Sequence, residues 1–485
     1  MAAVKLLSVI LAVFTALLSP SLASAPLSNS QFVPAQSFKV NNLLRNIDLT
    51  KSYLRETLSF VIENIGTASE EEFFLTFPFE VKDGDLSSHI SFLDIKEKGD
   101  STSPLTYKIG EYNTDKYAQY FTIKFTKPLN PGENAAIQVS TAYSGVLHPQ
   151  PSKIKQADVQ HLLWTGSRYA FLPYESDRQR TKIKLPDRGA SAYSKSATDP
   201  AVEGTVLTYG PYTDVPSFAS KDIQVRYEYT FPITEVVKLE REIWVSHYGG
   251  NLATEEKYWL KNAAATLSDQ FARIRWQASA ISKERSVAIK GLNILLRPGS
   301  RDVYYTDEIG NVSTSNFRQD FRGSNLELRP RYPIFGGWNY SFTIGWNHDL
   351  GRSLKLWNVQ PGQSERYLLK VPFLEGPDNV SYGEVDLSVL LPEGSSDVEV
   401  KTTLSQVVIE ESLRKSHLDS VGRTVITLKS QNLLDEHRRH EVYISYTYSA
   451  SASIQKPVLV ITTIAVVFLA FIILLRLDFS ISKLK

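Results

Sequence analysis

Asp83-Gly84-Asp85 has the spacing of an acid pair able to hold a divalent metal, and His437-Arg438-Arg439-His440 sets two imidazoles three residues apart. Neither pattern survives a look at its neighbours. The acids sit in Lys82-Asp83-Gly84-Asp85, where Asp and Gly serve a turn for backbone reasons. The imidazoles enclose two guanidinium groups that oppose a cation, and no third ligand lies nearby in sequence. There is no His-Glu-x-x-His, no Gly-x-Ser-x-Gly and no phosphate-cradling glycine loop. The chain has no cysteine, which removes disulfides, thiolate zinc sites, iron–sulfur clusters and cysteine nucleophiles. No catalytic, cofactor or metal residue is therefore assigned. Three Asn-x-Ser sequons remain, at Asn311, Asn339 and Asn379, each a glycosylation acceptor if it faces a secretory lumen. Trp338 and Tyr340 make Asn339 the most crowded of them by sequence. All seven tryptophans, from Trp164 to Trp357, lie in the middle of the chain and read as core or protein interface rather than a sugar platform.

The two ends decide where such sequons would stand. One lysine, the apolar run from Leu6 to Leu18 and the small residues of Ser21-Leu22-Ala23 make the three parts of a signal peptide. Pro26 disfavours a later cut, so cleavage is expected between Ala23 and Ser24. From Pro457 to Leu475 there is no charge, and such a run plus its flanks just crosses about 30 Å of hydrocarbon as a helix. Arg476, Lys483 and Lys485 follow it, which places the tail in the cytosol. Within the run, Thr462, Thr463, Ala465 and Ala470 are the small or hydroxylated positions where a partner helix could approach. The whole chain carries 53 basic and 52 acidic residues, a balance that argues against a nucleic-acid surface.

Between the ends, short alternating runs such as Tyr120–Phe125, Ile137–Ser140, Val225–Tyr229 and Val442–Tyr448 are broken by turns at 130–133, 297–300 and 392–395. Helical periodicity is scarce, with Ala263–Trp276 the one short candidate. The expected fold is mainly β: two tandem antiparallel β-sheet domains of sandwich or saddle-like form, plus one C-terminal transmembrane α-helix. Ala68–Leu75 aligns without gaps on Ala253–Leu260, at an offset of 185 residues, and Ile137–Ser144 resembles Val442–Ser449. That echo reads as a repeated domain. The Ser-, Ala-, Pro- and Gly-rich stretch Pro186–Asp222 is the expected linker. The resulting division is signal peptide 1–23, first β domain with linker 24–222, second β domain 223–456, transmembrane helix 457–475 and tail 476–485.

Five ordered blocks give a resemblance. Arg329-Pro330-Arg331-Tyr332-Pro333-Ile334-Phe335-Gly336-Gly337-Trp338 looks like the hallmark of the ribophorin I family. Gly210–Pro216, Val245–Glu256, Leu391-Pro392-Glu393-Gly394 and Leu418–Ile426 are similar to family segments in the same order, with Tyr248 and an extra glycine as departures in the second of these. The resemblance implies a non-catalytic subunit of the endoplasmic-reticulum oligosaccharyltransferase. That complex transfers a preassembled oligosaccharide from dolichyl diphosphate to Asn of Asn-x-Ser/Thr in nascent polypeptides. It further implies a single-pass type I protein with its bulk in the lumen and no cofactor of its own. Implied partners are the multi-span catalytic subunit, small membrane subunits and nascent polypeptides, with scaffolding and substrate handling as the role. Ten residues follow Leu475, similar to the short-tailed fungal form rather than the long-tailed animal one. The rival readings are an independent receptor or adhesion ectodomain, and a lumenal hydrolase whose β domains resemble non-catalytic parts of metallopeptidases but lack the zinc motif.

Overall fold

The computed structural model describes residues 32–78, 90–98, 105–113, 115–196, 199–281, 285–357, 366–404, 407–416 and 419–477. The expected signal peptide, its cut at Ala23 and Ser24, the Asp83-Gly84-Asp85 turn and most of the tail lie outside these residues. The chain divides into two compact units. The first comprises Met1–Thr50, Arg55–Ala142 and Trp164–Val225; the second comprises Lys51–Leu54, Tyr143–Leu163 and Arg226–Lys485.

The first unit is built on a seven-stranded sheet. Its strands are β1 (Phe38–Asp48), β2 (Leu54–Asn64), β3 (Ile90–Glu97), β4 (Asn134–Tyr143), β5 (Ser176–Lys184), β6 (Ala201–Glu203) and β7 (Val206–Val215). Their spatial order is β3-β4-β2-β1-β5-β7-β6. Burial alternates along β2 residue by residue, as a strand with one face on the core requires. That face meets a three-stranded sheet of Glu70–Pro78, Ala118–Leu129 and Tyr107–Asn113. Phe60 packs on Phe73 across the layer, with ring centroids 6.4 Å apart, and Phe125 stacks on Phe73 from the neighbouring strand of the small sheet at 5.3 Å.

The second unit repeats this plan. Strands β8 (Thr234–Ser246), β9 (Asn251–Asn262), β10 (Arg301–Asp307), β11 (Asn339–Asp349), β12 (Val380–Leu390), β13 (Val408–Arg414) and β14 (Arg423–Leu434) lie in the order β10-β11-β9-β8-β12-β14-β13, and the two-residue strand Gly310–Asn311 adds an eighth beyond β10. Each label is seven higher than its counterpart. Among the pairings described for these two sheets, the parallel ones are β1 with β5 and β8 with β12. A bulge interrupts β1 between Val40 and Asn42 and β8 between Val236 and Lys238. The small sheet recurs too, as Leu292–Leu296, Ser324–Leu328 and Asn316–Gln319. A further four-stranded sheet of Leu354–Leu356, Arg366–Pro372, Glu441–Tyr448 and Ser395–Thr402 belongs to this unit, and it leads into the C-terminal helix.

The repeat is locked by one residue in each copy. Asn64 and Asn262, both fully buried, end β2 and β9. Asn64 Nδ2 donates to the carbonyls of Ala68 and Leu129, and its Oδ1 accepts from the Gly66 amide. Asn262 Nδ2 donates to Val287 and Ile334, and its Oδ1 accepts from Ala264. In each case the backbone carbonyl accepts from a glycine, Gly132 or Gly337, held at φ near +80°. Only glycine adopts that angle without strain.

Three sequence expectations change. The echo of Ala68–Leu75 in Ala253–Leu260 pairs the wrong strands: topologically Glu70–Pro78 matches Leu292–Leu296, and β9 matches β2. Pro186–Asp222 is not a linker, because Val206–Val215 pairs along β5 with Leu207 and Tyr209 buried. The helix begins at Arg273 rather than Ala263 and runs to Ile281 (α1). Ala263 and Thr266 instead donate backbone hydrogen bonds to Ile233 and Ser152, which holds that stretch extended.

Candidate functional site: the C-terminal helix and its collar

The strand Glu441–Tyr448 passes into helix α2 (Ala450–Arg476) with only Ser449 between them. Ser449 is the N-cap, its hydroxyl accepting from the Ala452 amide. The helix thus starts before Pro457, which lies inside it and removes the backbone donor to the Ser453 carbonyl. At 1.5 Å per residue its 27 residues extend about 40 Å. Ser451–Arg476 is long and apolar enough to cross a membrane, and none of its most apolar window is buried within the chain.

A collar of buried carboxylates grips the first turns. Lys456 makes an ion pair with Asp419 and lies 3.8 Å from Glu393. Asp419 also accepts from the Ser416 amide at 2.8 Å and Arg423 Nε at 3.3 Å. Glu393 accepts from the Ser420 and Val421 amides, each at 2.7 Å, and from the Ser420 hydroxyl. Burial opposes ionisation of both acids, but these donors outweigh it and hold each carboxyl below its usual range. Gln455 donates to the Ser420 hydroxyl, and a Cβ on Gly394 would lie 2.8 Å from that of Ala452. Two blocks of the family resemblance, Leu391–Gly394 and Leu418–Ile426, therefore meet at the root of the helix. Sequence reading did not link them, since nothing in either marks Lys456 as its partner.

A third block, at the β8–β9 turn, opens a cavity of about 440 Å³ beside the same turns, walled by His247, Tyr248, Tyr367, Tyr448, Ile454 and Pro457. His247 Nε2 is 2.7 Å from the Tyr446 hydroxyl, and Tyr248 is 85% exposed. Aromatic side chains at the start of an apolar helix suit the polar boundary of a bilayer.

Along α2, Thr462, Thr463, Ala465 and Ala470 are all exposed. The two threonine hydroxyls donate back to the Leu459 carbonyl at 2.9 and 2.7 Å, so neither is an orphaned donor in lipid. Thr463 and Ala470, seven apart, share a face, whereas Ala465 lies about 160° round the helix from Thr463.

The sequons differ sharply. Asn311 and Asn339 are exposed. Asn379 is held on all sides: Nδ2 donates to the Tyr229 hydroxyl, Oδ1 accepts from the Ser52 amide and hydroxyl, and its own amide donates to Asp435. It sits at φ +59°, which Asn tolerates better than most residues. The crowding expected around Asn339 is absent, because Trp338 and Tyr340 turn to the other face of the strand's start.

His437 and His440 have ring centroids 5.7 Å apart. His437 Nδ1 accepts from the Leu434 amide, and burial drives its pKa down to about 4. Among the described residues no group of three or more His, Asp or Glu side chains is placed to hold a metal. Arg241 is buried between Glu256 and Glu375, near Trp346. Burial lifts the Glu256 pKa to about 7, and Tyr258 donates to it at 2.7 Å. This cluster lies inside the core and serves packing. Trp164 and Trp346 are likewise core, while Trp244 and Trp259 are half-buried beneath Arg or Lys side chains.

The segment 329–338 makes the return from the small sheet to β11. Gly336 is forced there, since a Cβ would lie 2.0 Å from the Ala265 carbonyl oxygen.

Comparison with known proteins is extensive in sequence. The family model for Ribophorin I matches residues 38–475. Dolichyl-diphosphooligosaccharide–protein glycosyltransferase subunit 1A of Arabidopsis thaliana is 31% identical over 443 residues, covering 90% of this chain and 70% of that protein. Subunit 1 of Schizosaccharomyces pombe is 29% identical over 443 residues, 90% of this chain and 94% of that one. Subunit 1 of Caenorhabditis elegans is 30% identical over 92% of this chain and 74% of its own length. Among solved structures, an M1 zinc metallopeptidase from Deinococcus radiodurans aligns with 43% of this chain and 44% of its own at 13% identity, with a TM-score of 0.26.

Proposed function

The chain belongs to the ribophorin I family, and from that premise we propose that it is a non-catalytic subunit of the dolichyl-diphosphooligosaccharide–protein glycosyltransferase. The observation that carries this reading is the extent of the match, which runs through both β units and into α2. The complex moves a preassembled oligosaccharide from dolichyl diphosphate to Asn of Asn-x-Ser/Thr in nascent polypeptides. This chain contributes structure: α2 packs against membrane partners, and the collar fixes how the second unit stands on it. Its partners are the multi-span catalytic subunit and small membrane subunits, with nascent polypeptides passing the β units. The protein is single-pass and type I in the endoplasmic-reticulum membrane, with both units in the lumen and the tail in the cytosol. No observation favours an independent adhesion ectodomain.

Co-purification from detergent-solubilised microsomes tests the reading. A multi-subunit transferase is expected; a free ectodomain or an active monomer would refute it. Replacing 457–475 with polyleucine of equal length should keep insertion but release the chain from the complex and lower client glycosylation. In lipid, helices associate through close packing and a few polar contacts, which polyleucine lacks. Stoichiometric co-purification of the polyleucine form would reduce α2 to a tether.

A further inference from the structure

A groove of about 500 Å³ opens on the second unit where the segment 329–338 passes α1. This lies within the ~300–1,000 Å³ typical of small-ligand sites. Trp276, Tyr332, Ser313, Asn316, Lys290 and Arg331 form its walls. Tyr332 is 42% exposed, and Trp276 is half-buried with Lys290 over its ring. Rings beside amide, hydroxyl and guanidinium groups suit a sugar, whose apolar face stacks and whose hydroxyls need partners.

The charge of the groove selects further. Arg331 is paired with Asp307 at 2.5 Å, and Arg329 with Glu327 at 2.7 Å. Both arginines are thus already neutralised, which favours a neutral ligand over an acidic peptide. A tethered candidate stands at the rim. The Asn311 carbonyl accepts from Arg331 Nη2 at 2.8 Å, and Ser313, two residues on, is itself a wall. Val312 between them is buried, so Asn311 and Ser313 both face outward.

We propose that the groove binds the N-acetylglucosamine core of a glycan carried by Asn311 of the same chain. The tether supplies a high local concentration, so a shallow site suffices. The proposal rests on the lumenal placement of this unit.

The test uses the full-length, detergent-solubilised chain from microsomes. Peptide mass spectrometry gives occupancy at Asn311 and Asn339, and an endoglycosidase that cuts within the core reports release of each glycan under native and denaturing conditions. The expected result is an occupied Asn311 whose glycan is released about ten-fold more slowly than that of Asn339 in the native protein, and equally fast after denaturation. Tyr332→Ser should raise the native rate at Asn311 and leave Asn339 unchanged. Asn316→Ala, an exposed change that spares the aromatic packing, should act in the same direction. Equal native rates, or a bare Asn311 in a chain whose Asn339 is occupied, would overturn the proposal alone. Both sites bare would overturn the proposal and leave the lumenal reading, which rests on topology, untouched.

Discussion

Asp419, its side chain out of solvent, holds the Lys456 ammonium just before the apolar run of α2, and the same carboxylate also accepts from Arg423 and Ser416. Asp419→Asn removes the negative charge and one of the two oxygens that serve Lys456, Arg423 and the Ser416 amide, at a cost of about 2–4 kcal/mol. Lys456→Gln removes only a partly exposed partner and should cost about 1 kcal/mol or less. A lower melting temperature and new proteolysis near residues 449–456 are expected for Asp419→Asn and not for Lys456→Gln.

Asn379 should be bare in the native protein. A glycan on Nδ2 would break its bond to Tyr229 and displace Oδ1 from Ser52. Peptide mass spectrometry on the purified chain decides this, and full occupancy at Asn379 would show that its hydrogen bonds do not form. Asn379→Gln should destabilise the second unit, because a longer side chain cannot keep both contacts.

Asn64→Ala and Asn262→Ala should both destabilise, Asn262→Ala by about 2–4 kcal/mol because it strands a buried amide and two buried carbonyls, and Asn64→Ala by less because only the Leu129 carbonyl among its partners is buried. Calorimetry on the full chain should show either variant lowering the stability of its own unit. A loss at one position with none at the other would break the equivalence of the two copies.

Acid should weaken the second unit through His437. Its folded pKa of about 4 lies below the ordinary 6.5, so between those values the unfolded chain binds a proton that the native one does not. The contribution is nil above about pH 6.5 and reaches about 3 kcal/mol of destabilisation near pH 4. His437→Asn should flatten the dependence of melting temperature on pH in that window while lowering stability at pH 7. An unchanged slope would mean that other groups govern acid sensitivity.

The mainly β character and the C-terminal helix were legible because both rest on local period: alternation along β2 and β9, and an uncharged run from Pro457. The repeat was legible only as a suspicion. The matched Asn residues are 198 apart and the matched glycines 205 apart, because loops have grown between strands. A gapless echo at 185 therefore fell on the wrong strand. The collar was illegible for another reason. Glu393, Asp419 and Lys456 sit on three different elements, and only the register of the sheets brings them together. The sequons could be found by pattern, but whether an asparagine is free depends on partners as remote as Ser52 is from Asn379.

The passage from Tyr448 to Ala450 through the single residue Ser449 has a mechanical consequence. With Ser449 as cap and Lys456 clamped, α2 behaves as a lever rigidly fixed to the sheet it leaves. A change in helix tilt, whether imposed by bilayer thickness or by a neighbouring helix, must then be delivered as a rotation of the strands Glu441–Tyr448 and Arg366–Pro372. The collar works as a torque coupling, and cutting it would let the membrane and the β unit move independently.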